Sequence, residues 1–373
     1  MFTVYQILDR KSGIEIVRVE DLCPEAFSLH NETYSGARTP SDWIWEYKCC
    51  FPSLSVFTVV RDRGRIVGTQ GMLPIYLSIG GKKHLTGKSE NTLLEKSYRG
   101  RGLFRDLYSH AITACKERGM CCVWGFTSAP AATSALRNKL GFSIYDKVIQ
   151  TYGLLLAPTL PPEIKRLKRS GLVYATLQAV ALVSYLYCFV CRRLLSPKRD
   201  MTHDKFVIEE KIRSADDIGE LYERLRLQHP DMIHITQDAP YIAWRITNNP
   251  NIKYRTYLLF EGKLLRAYCY LNVDKERVAR LTDFTAEDKT SAAVLAGYVI
   301  NVLSAQKVGF LLFMGNMRNP LIHDIVHLLK RYGFLKLPVL KTNFVLNNLS
   351  CEEPLYDVSK WYMNGLWTEG YQW

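Results

Sequence analysis

The feature that most constrains this chain is that it repeats itself. Trp43-Ile44-Trp45-Glu46-Tyr47 is followed by Phe51-Pro52, a β-prone run, a tight turn and a second run. Downstream, Tyr241-Ile242-Ala243-Trp244-Arg245 is followed by Asn249-Pro250, a run, Glu261-Gly262 and another run. Lys139-Leu140-Gly141-Phe142 is echoed in the same way by Arg331-Tyr332-Gly333-Phe334. Echoes that keep their order over so long a period mean duplicated domains and not a solenoid. At 373 residues, 47% of them apolar, the chain has material for two cores. The expected division is 1–158, a linker over 159–204, and 205–373.

Within the first copy, Val56 to Val60 and Arg65 to Met72 read as strands joined by Asp62-Arg63-Gly64. A second hairpin is expected at Gly80-Gly81 before a strand over Leu85 to Glu95. Then comes Tyr98-Arg99-Gly100-Arg101-Gly102-Leu103-Phe104-Arg105. Glycines let the backbone wrap close to a ligand, the helix that follows offers unpaired N–H groups at its positive end, and three arginines add fixed charge. Such a turn suits a pyrophosphate. The helix places Leu103, Leu107, Ala111 and Ala114 or Cys115 on one face and stops near Gly119. A buried strand over Met120 to Phe126, a helix over Pro130 to Asn138 and a final strand over Ile144 to Gln150 complete the copy. In the second copy a helix (Ala215–Leu227), three strands (Tyr254–Phe260, Leu264–Asn272, Val278–Asp283), a helix (Ser291–Ala305), a strand (Gly309–Met314) and a helix (Leu321–Arg331) follow one another.

These motifs resemble the GNAT superfamily of acyl-CoA N-acyltransferases. Arg99, Gly102 and Phe104 occupy the three places of its coenzyme A loop, with Gly100 as an extra glycine and Phe104 in place of a small residue. Trp124-Gly125-Phe126 and Leu136-Arg137-Asn138-Lys139-Leu140-Gly141-Phe142 look like the family's closing strand and helix. The resemblance implies an α/β (α+β) fold of two GNAT-like domains, each a mixed twisted sheet flanked by helices. It also implies acetyl-CoA or another acyl-CoA as co-substrate. The cofactor-binding residues carried over are Leu93, Leu94, Arg99, Gly100, Arg101, Gly102, Leu103, Phe104 and Arg105. At the equivalent place in the second copy stands Phe284-Thr285-Ala286-Glu287-Asp288-Lys289, acidic and without glycines, so that copy is read as degenerate, serving for support or substrate binding.

The family transfers the acyl group directly to an amine in a ternary complex, where alignment of the reactants lowers the barrier by up to about 10 kcal/mol. Backbone N–H groups near Leu93 and Leu94 would polarise the carbonyl. Glu90, on the same strand, is the first candidate for the base; a carboxylate paired with Lys88 is the alternative. The family's acid is often a tyrosine at the position held here by Arg137, which stabilises a thiolate but does not give up a proton. Tyr145 is the nearest substitute, and it also reads as a strand residue packed on the sheet. Protonation by water and loss of activity stay open.

Gly171 to Cys191 is an apolar segment broken by Thr176, Gln178 and Ser184, flanked by Lys165, Arg166, Lys168, Arg169, Arg192 and Arg193. It fits a helix packed beside the domains, one lying on a cytoplasmic leaflet, or a membrane span. The net charge of +13 fits an anionic cofactor, an acidic substrate or an anionic membrane surface through 165–193. No nucleic-acid signature accompanies it. Ten cysteines form neither a disulfide framework nor a four-ligand zinc pattern, and His323 and His327 read as a helix surface, so no metal is expected. Without a secretory signal in Met1 to Arg18, the expected place is the cytoplasm, or its membrane face. The aromatic tail Trp361, Tyr362, Trp367, Tyr371 and Trp373 could stack on a sugar or cap the second core. Together these readings give an N-acyltransferase acting on a primary amine, such as an amino sugar or envelope precursor. The alternatives are an inactive acyl-CoA-binding or membrane-associated scaffold and a Fem-type aminoacyl or peptidyl transferase.

Overall fold

The computed structural model describes residues 2–9, 13–19, 24–34, 38–158, 171–194, 205–337, 342–352 and 354–368. The basic residues 165–169, Tyr371 and Trp373 lie outside them, as do 159–170 and 195–204 of the expected linker. The first half runs β1 (Phe2–Asp9), β2 (Ile14–Val19), α1 (Pro24–Tyr34), α2 (Pro40–Lys48), β3 (Val56–Asp62), β4 (Arg65–Ile79), β5 (Lys82–Leu94), α3 (Leu103–Glu117), β6 (Cys122–Thr127), α4 (Pro130–Leu140), β7 (Ser143–Tyr145) and β8 (Ile149–Leu155). Then come α5 (Gly171–Leu194), β9 (Phe206–Glu209), α6 (Ala215–Gln228) and β10 (His234–Ile235). After these follow β11 (Arg255–Glu261), β12 (Leu264–Val273), β13 (Val278–Ala286), α7 (Lys289–Ala305), β14 (Phe310–Asn316), α8 (Pro320–Arg331), β15 (Leu335–Lys336) and β16 (Asn343–Asn348).

Both expected hairpins form. Arg63 and Gly64 (φ 50° and 84°) turn β3 into β4, and Gly80 and Gly81 (φ 57° and 75°) turn β4 into β5. Two successive left-handed residues match the twist of the strands they join. The expected last strand of the first copy divides instead: Lys147 adopts φ 51°, and the chain leaves one sheet at β7 to enter the other as β8.

The two mixed sheets are built by exchange. The first has the order β1-β2-β3-β4-β5-β6-β16-β7, with β10 added on β4; the second is β15-β8-β14-β13-β12-β11-β9. Strand β8 of the first half pairs antiparallel with β14 over seven residues, and β16 of the second half sits between β6 and β7. The same reciprocity recurs where the sequence echoes meet. Trp45 donates its indole N–H to the Trp244 carbonyl (3.0 Å) and Trp244 donates to the Trp45 carbonyl (2.7 Å). One continuous core follows, joining Trp45, Leu77, Trp124 and Leu154 to Trp244, Phe284, Phe313, Phe344 and Trp361. Trp361 and Trp367 thus cap the core.

Helix α5 lies on this body by a narrow stripe. Ala181, Cys188 and Cys191 are buried, and Cys188 meets Gly333 so closely that a Cβ there would lie 2.8 Å from the Cys188 Cα. Val180, Leu182, Val183, Leu186, Tyr187, Phe189, Val190 and Leu194 are exposed. Among the described residues no helix is long and apolar enough to cross a membrane.

Candidate active site

The site begins where two parallel strands part. β5 and β6 are paired at Gly87 with Val123 and Lys88 with Trp124, and among the described residues nothing pairs that edge of β5 from Ser89 onward. Backbone groups along an unpaired strand edge must find other partners, which makes such a gap a natural berth for an extended polar ligand. A bulge sharpens the divergence: Thr69 faces Leu93 while Gly71 faces Glu90, and Asn91 takes φ 52°.

The bulge is held by a half-buried polar network. Asn91 donates to Tyr47 Oη (2.7 Å) and Glu46 Oε2 (3.1 Å) and accepts from Arg38 (2.6 Å), while Arg38 also pairs with Glu46. Tyr47 in turn lies against Gly71, where any Cβ would collide with its ring. On the other side Gln70 donates to Ser89 Oγ (3.1 Å) and accepts from Thr92 (2.6 Å), and Ser89 meets Tyr108 of α3 at 2.6 Å. Full burial raises the Tyr108 hydroxyl above its ordinary value, so it is a neutral hydrogen-bonding group. These residues escaped the sequence reading because polar side chains within an apolar run carry no periodic signal; Asn91 inside a strand is the one visible irregularity.

Beyond β5 the chain turns into α3 through the glycine loop. Gly100 (φ 81°) and Gly102 (φ 85°) are both left-handed, and Gly102 caps α3 without supplying a side-chain acceptor. A Cβ on Gly100 would meet nothing within 4 Å, so the backbone conformation and not crowding is what calls for glycine. The first N–H groups of α3, from Leu103, Phe104 and Arg105, therefore stand at a positive helix end. Arg99, Gly100, Arg101 and Arg105 are exposed. Arg99 donates to the Leu94 carbonyl (3.0 Å), Arg101 lies over the Tyr98 ring (5.1 Å), and Arg105 pairs with Asp106 (2.7 Å). An open turn at a positive helix end, with its arginines held in place beside it, suits a diphosphate.

Glu90 is buried on β5 and paired with Lys88, which is also buried. Arg137 is exposed on α4. Tyr145 stands on β7, separated from β6 by the inserted β16, and its hydroxyl donates to the Tyr356 carbonyl (2.9 Å). The structure thus brings Glu90, Leu93, Leu94 and the loop together on one strand and its exit, and places Tyr145 two strands from the gap.

The second sheet repeats the parting strands. Parallel pairing of β13 with β14 runs from Val278 opposite Phe310 to Leu281 opposite Phe313, and then ends. Here the chain itself enters the gap. Asn316 N–H donates to the Met363 carbonyl (2.9 Å), Asn364 donates to Asp283 (2.6 Å), and a Cβ on Gly365 would lie 2.9 Å from the Thr282 carbonyl. Asp288 caps α7 by accepting from Ser291 N–H (2.8 Å), and Glu287 pairs with Arg224 and Arg266. A carboxylate already occupies the place an anion would take.

Residues 18–144 match a family model described as the acetyltransferase (GNAT) domain. This segment is a GNAT domain. Among curated proteins none matches the chain. Solved structures share its fold at low identity. A conserved protein of unknown function from Enterococcus faecalis V583, titled a probable N-acyltransferase, aligns with TM-score 0.61 and 9% identity over 90% of this chain and 73% of its own. A GCN5-related N-acetyltransferase from Kribbella flavida aligns with TM-score 0.57 and 10% identity over 90% and 72%. The N-myristoyltransferase of Saccharomyces cerevisiae, solved with myristoyl-CoA, aligns with TM-score 0.56 and 12% identity over 92% and 84%. Because these alignments cover both halves, the GNAT architecture accounts for the whole chain as two GNAT-like units, the second with its gap filled.

Proposed function

We propose that this protein is an N-acyltransferase that takes its acyl group from acetyl-CoA or a related acyl-CoA and delivers it to a primary amine. The observation that carries this reading is the conjunction of an unpaired β5 edge with left-handed Gly100 and Gly102 at the start of α3. The α3 N–H groups and the arginines of the loop receive the pyrophosphate, the edge at Leu93 and Leu94 receives the pantetheine arm, and the thioester carbonyl points into the gap. The amine attacks that carbonyl, the C–S bond breaks, and the thiolate leaves as coenzyme A. An amino sugar or envelope precursor is the acceptor class this reading favours. Glu90 serves the amine by accepting its proton, with Lys88 holding the carboxylate in place; Arg137 and Tyr145 take no direct part.

One observation favours a second reading, an acyl-CoA-binding protein without turnover: the Glu90 carboxylate is already engaged by Lys88. Coenzyme release measured with a panel of amines separates the two. Gly102→Val forces a β-branched residue into a left-handed conformation, a strain of about 1–3 kcal/mol. It is expected to weaken acetyl-CoA binding at least tenfold by calorimetry while leaving the circular dichroism spectrum unchanged. Wild-type affinity in that variant refutes the loop assignment, and tight binding with no amine acylated favours the second reading.

The exposed apolar face of α5 supports a further element of the proposal, attachment to an anionic membrane surface. Eight large apolar side chains exposed on one helix are more than a free surface ordinarily carries. Arg193 beside them and a net charge of +13 match acidic headgroups better than an apolar protein groove.

A further inference from the structure

Three residues far apart in sequence meet beside the exchanged strand. A ring nitrogen of His84 on β5, the sulfur of Cys121 just before β6 and the sulfur of Cys351 just after β16 all lie within 4.8 Å of one another. Cys121 and Cys351 are buried, and His84 is partly so. The backbone around them is firmly placed. Cys121 N–H donates to the Leu85 carbonyl (2.9 Å), and the Cys121 carbonyl accepts from Leu349 and Ser350 (2.9 and 3.0 Å). Asn348 and Cys351 exchange two further hydrogen bonds (2.8 and 3.0 Å).

We propose that His84, Cys121 and Cys351 form a zinc site that fastens the exchanged strand β16 to the first sheet. The donor set is one imidazole and two thiolates, the combination a borderline-soft d¹⁰ ion prefers. Donor atoms around tetrahedral zinc stand roughly 3.5–4 Å apart, so the observed cluster closes onto an ion by movements of an ångström or less.

A separate observation points to a ligand. The His84 Nε2 atom is buried without a hydrogen-bond partner, a state that costs free energy unless something accepts its lone pair. The sequence hid this site because its members stand at positions 84, 121 and 351 and are joined only by strand exchange.

The full-length chain, stripped of metal under reducing conditions, is the material for the test. Cobalt(II) should bind one per chain with sulfur-to-cobalt charge-transfer absorption, which one equivalent of zinc bleaches, and zinc should raise the melting temperature. Cys121→Ser, Cys351→Ser and His84→Asn should each weaken cobalt binding at least tenfold, whereas Cys49→Ser, at an exposed thiol, should not. If a variant fails to fold, the wild-type protein still decides the matter: zinc should shield Cys121 and Cys351, and not Cys49, from iodoacetamide as read by peptide mass spectrometry. Absence of the charge-transfer band, equal alkylation with and without zinc, or a Cys121–Cys351 disulfide formed in preference to metal uptake overturns the proposal.

Discussion

At the scale of single residues, burial has set the chemistry of His234 more decisively than sequence could show. Its ring stacks on Tyr222 (4.1 Å, 6° between planes), its Nδ1 meets the Ile235 carbonyl at 3.0 Å, and burial pushes its pKa down from 6.5 to about 4. The folded state therefore holds fewer protons here than the unfolded state between those values, so this contribution is present above pH 6.5 and is lost as pH falls toward 4. The shift corresponds to about 3 kcal/mol at most. Urea unfolding between pH 7 and pH 4.5 should show this loss, and His234→Phe, which keeps the stacking, should flatten the pH slope; an unchanged slope would rule out His234 as its source. Local rules explain what was legible at this scale. Gly100 and Gly102 announce themselves because only glycine takes φ near 80° without strain, whereas the Asn91 network depends on Arg38, Glu46 and Tyr47 arriving from another element.

Elements were legible wherever their reasons are local. The amphipathic face of α3, with Leu103, Leu107, Ala111, Ala114 and Cys115 buried, is the face the periodicity indicates. The helix α5 is legible as a helix but not in its seating. Among its described residues the fully buried ones are Ala181, Cys188 and Cys191, while eight larger apolar side chains from Val180 to Leu194 are exposed, the reverse of a core-facing helix. Membrane attachment is tested on that outward face. Val183, Leu186 and Val190 share one side, and replacing all three with Asp leaves the buried stripe intact. The triple variant should lose flotation with vesicles containing phosphatidylglycerol, while the wild type floats with these and weakly with phosphatidylcholine alone. Wild-type protein that stays at the bottom of the gradient with both vesicles refutes attachment. Strands β8 and β16 show the limit of pattern reading: each is a plain apolar run, and nothing in its own residues says which sheet receives it.

For the molecule as a whole, exchange joins the two expected domains through shared strands. Phe344, Val345 and Leu346 of β16 are buried in the first sheet, as Tyr152, Leu154 and Leu155 of β8 are in the second, so neither sheet is complete without the other half. Calorimetric unfolding is expected to show one transition whose van't Hoff and calorimetric enthalpies agree. Two resolved transitions would mean that the halves melt independently. The duplication was visible in the order of the echoes, but its interlocking was not, because strand partners across a long separation are chosen by the assembled core and not by local propensity.

The placement of β16 also governs how this protein is born. The slot between β6 and β7 stays vacant until Asn343–Asn348 has left the ribosome, long after β7 itself has been translated. At about 5–20 residues per second that delay is on the order of 10–40 s, during which a nascent sheet presents bare backbone to the crowded cell. Any sheet formed by then offers two unpaired strand edges, the kind of surface that invites pairing with another chain.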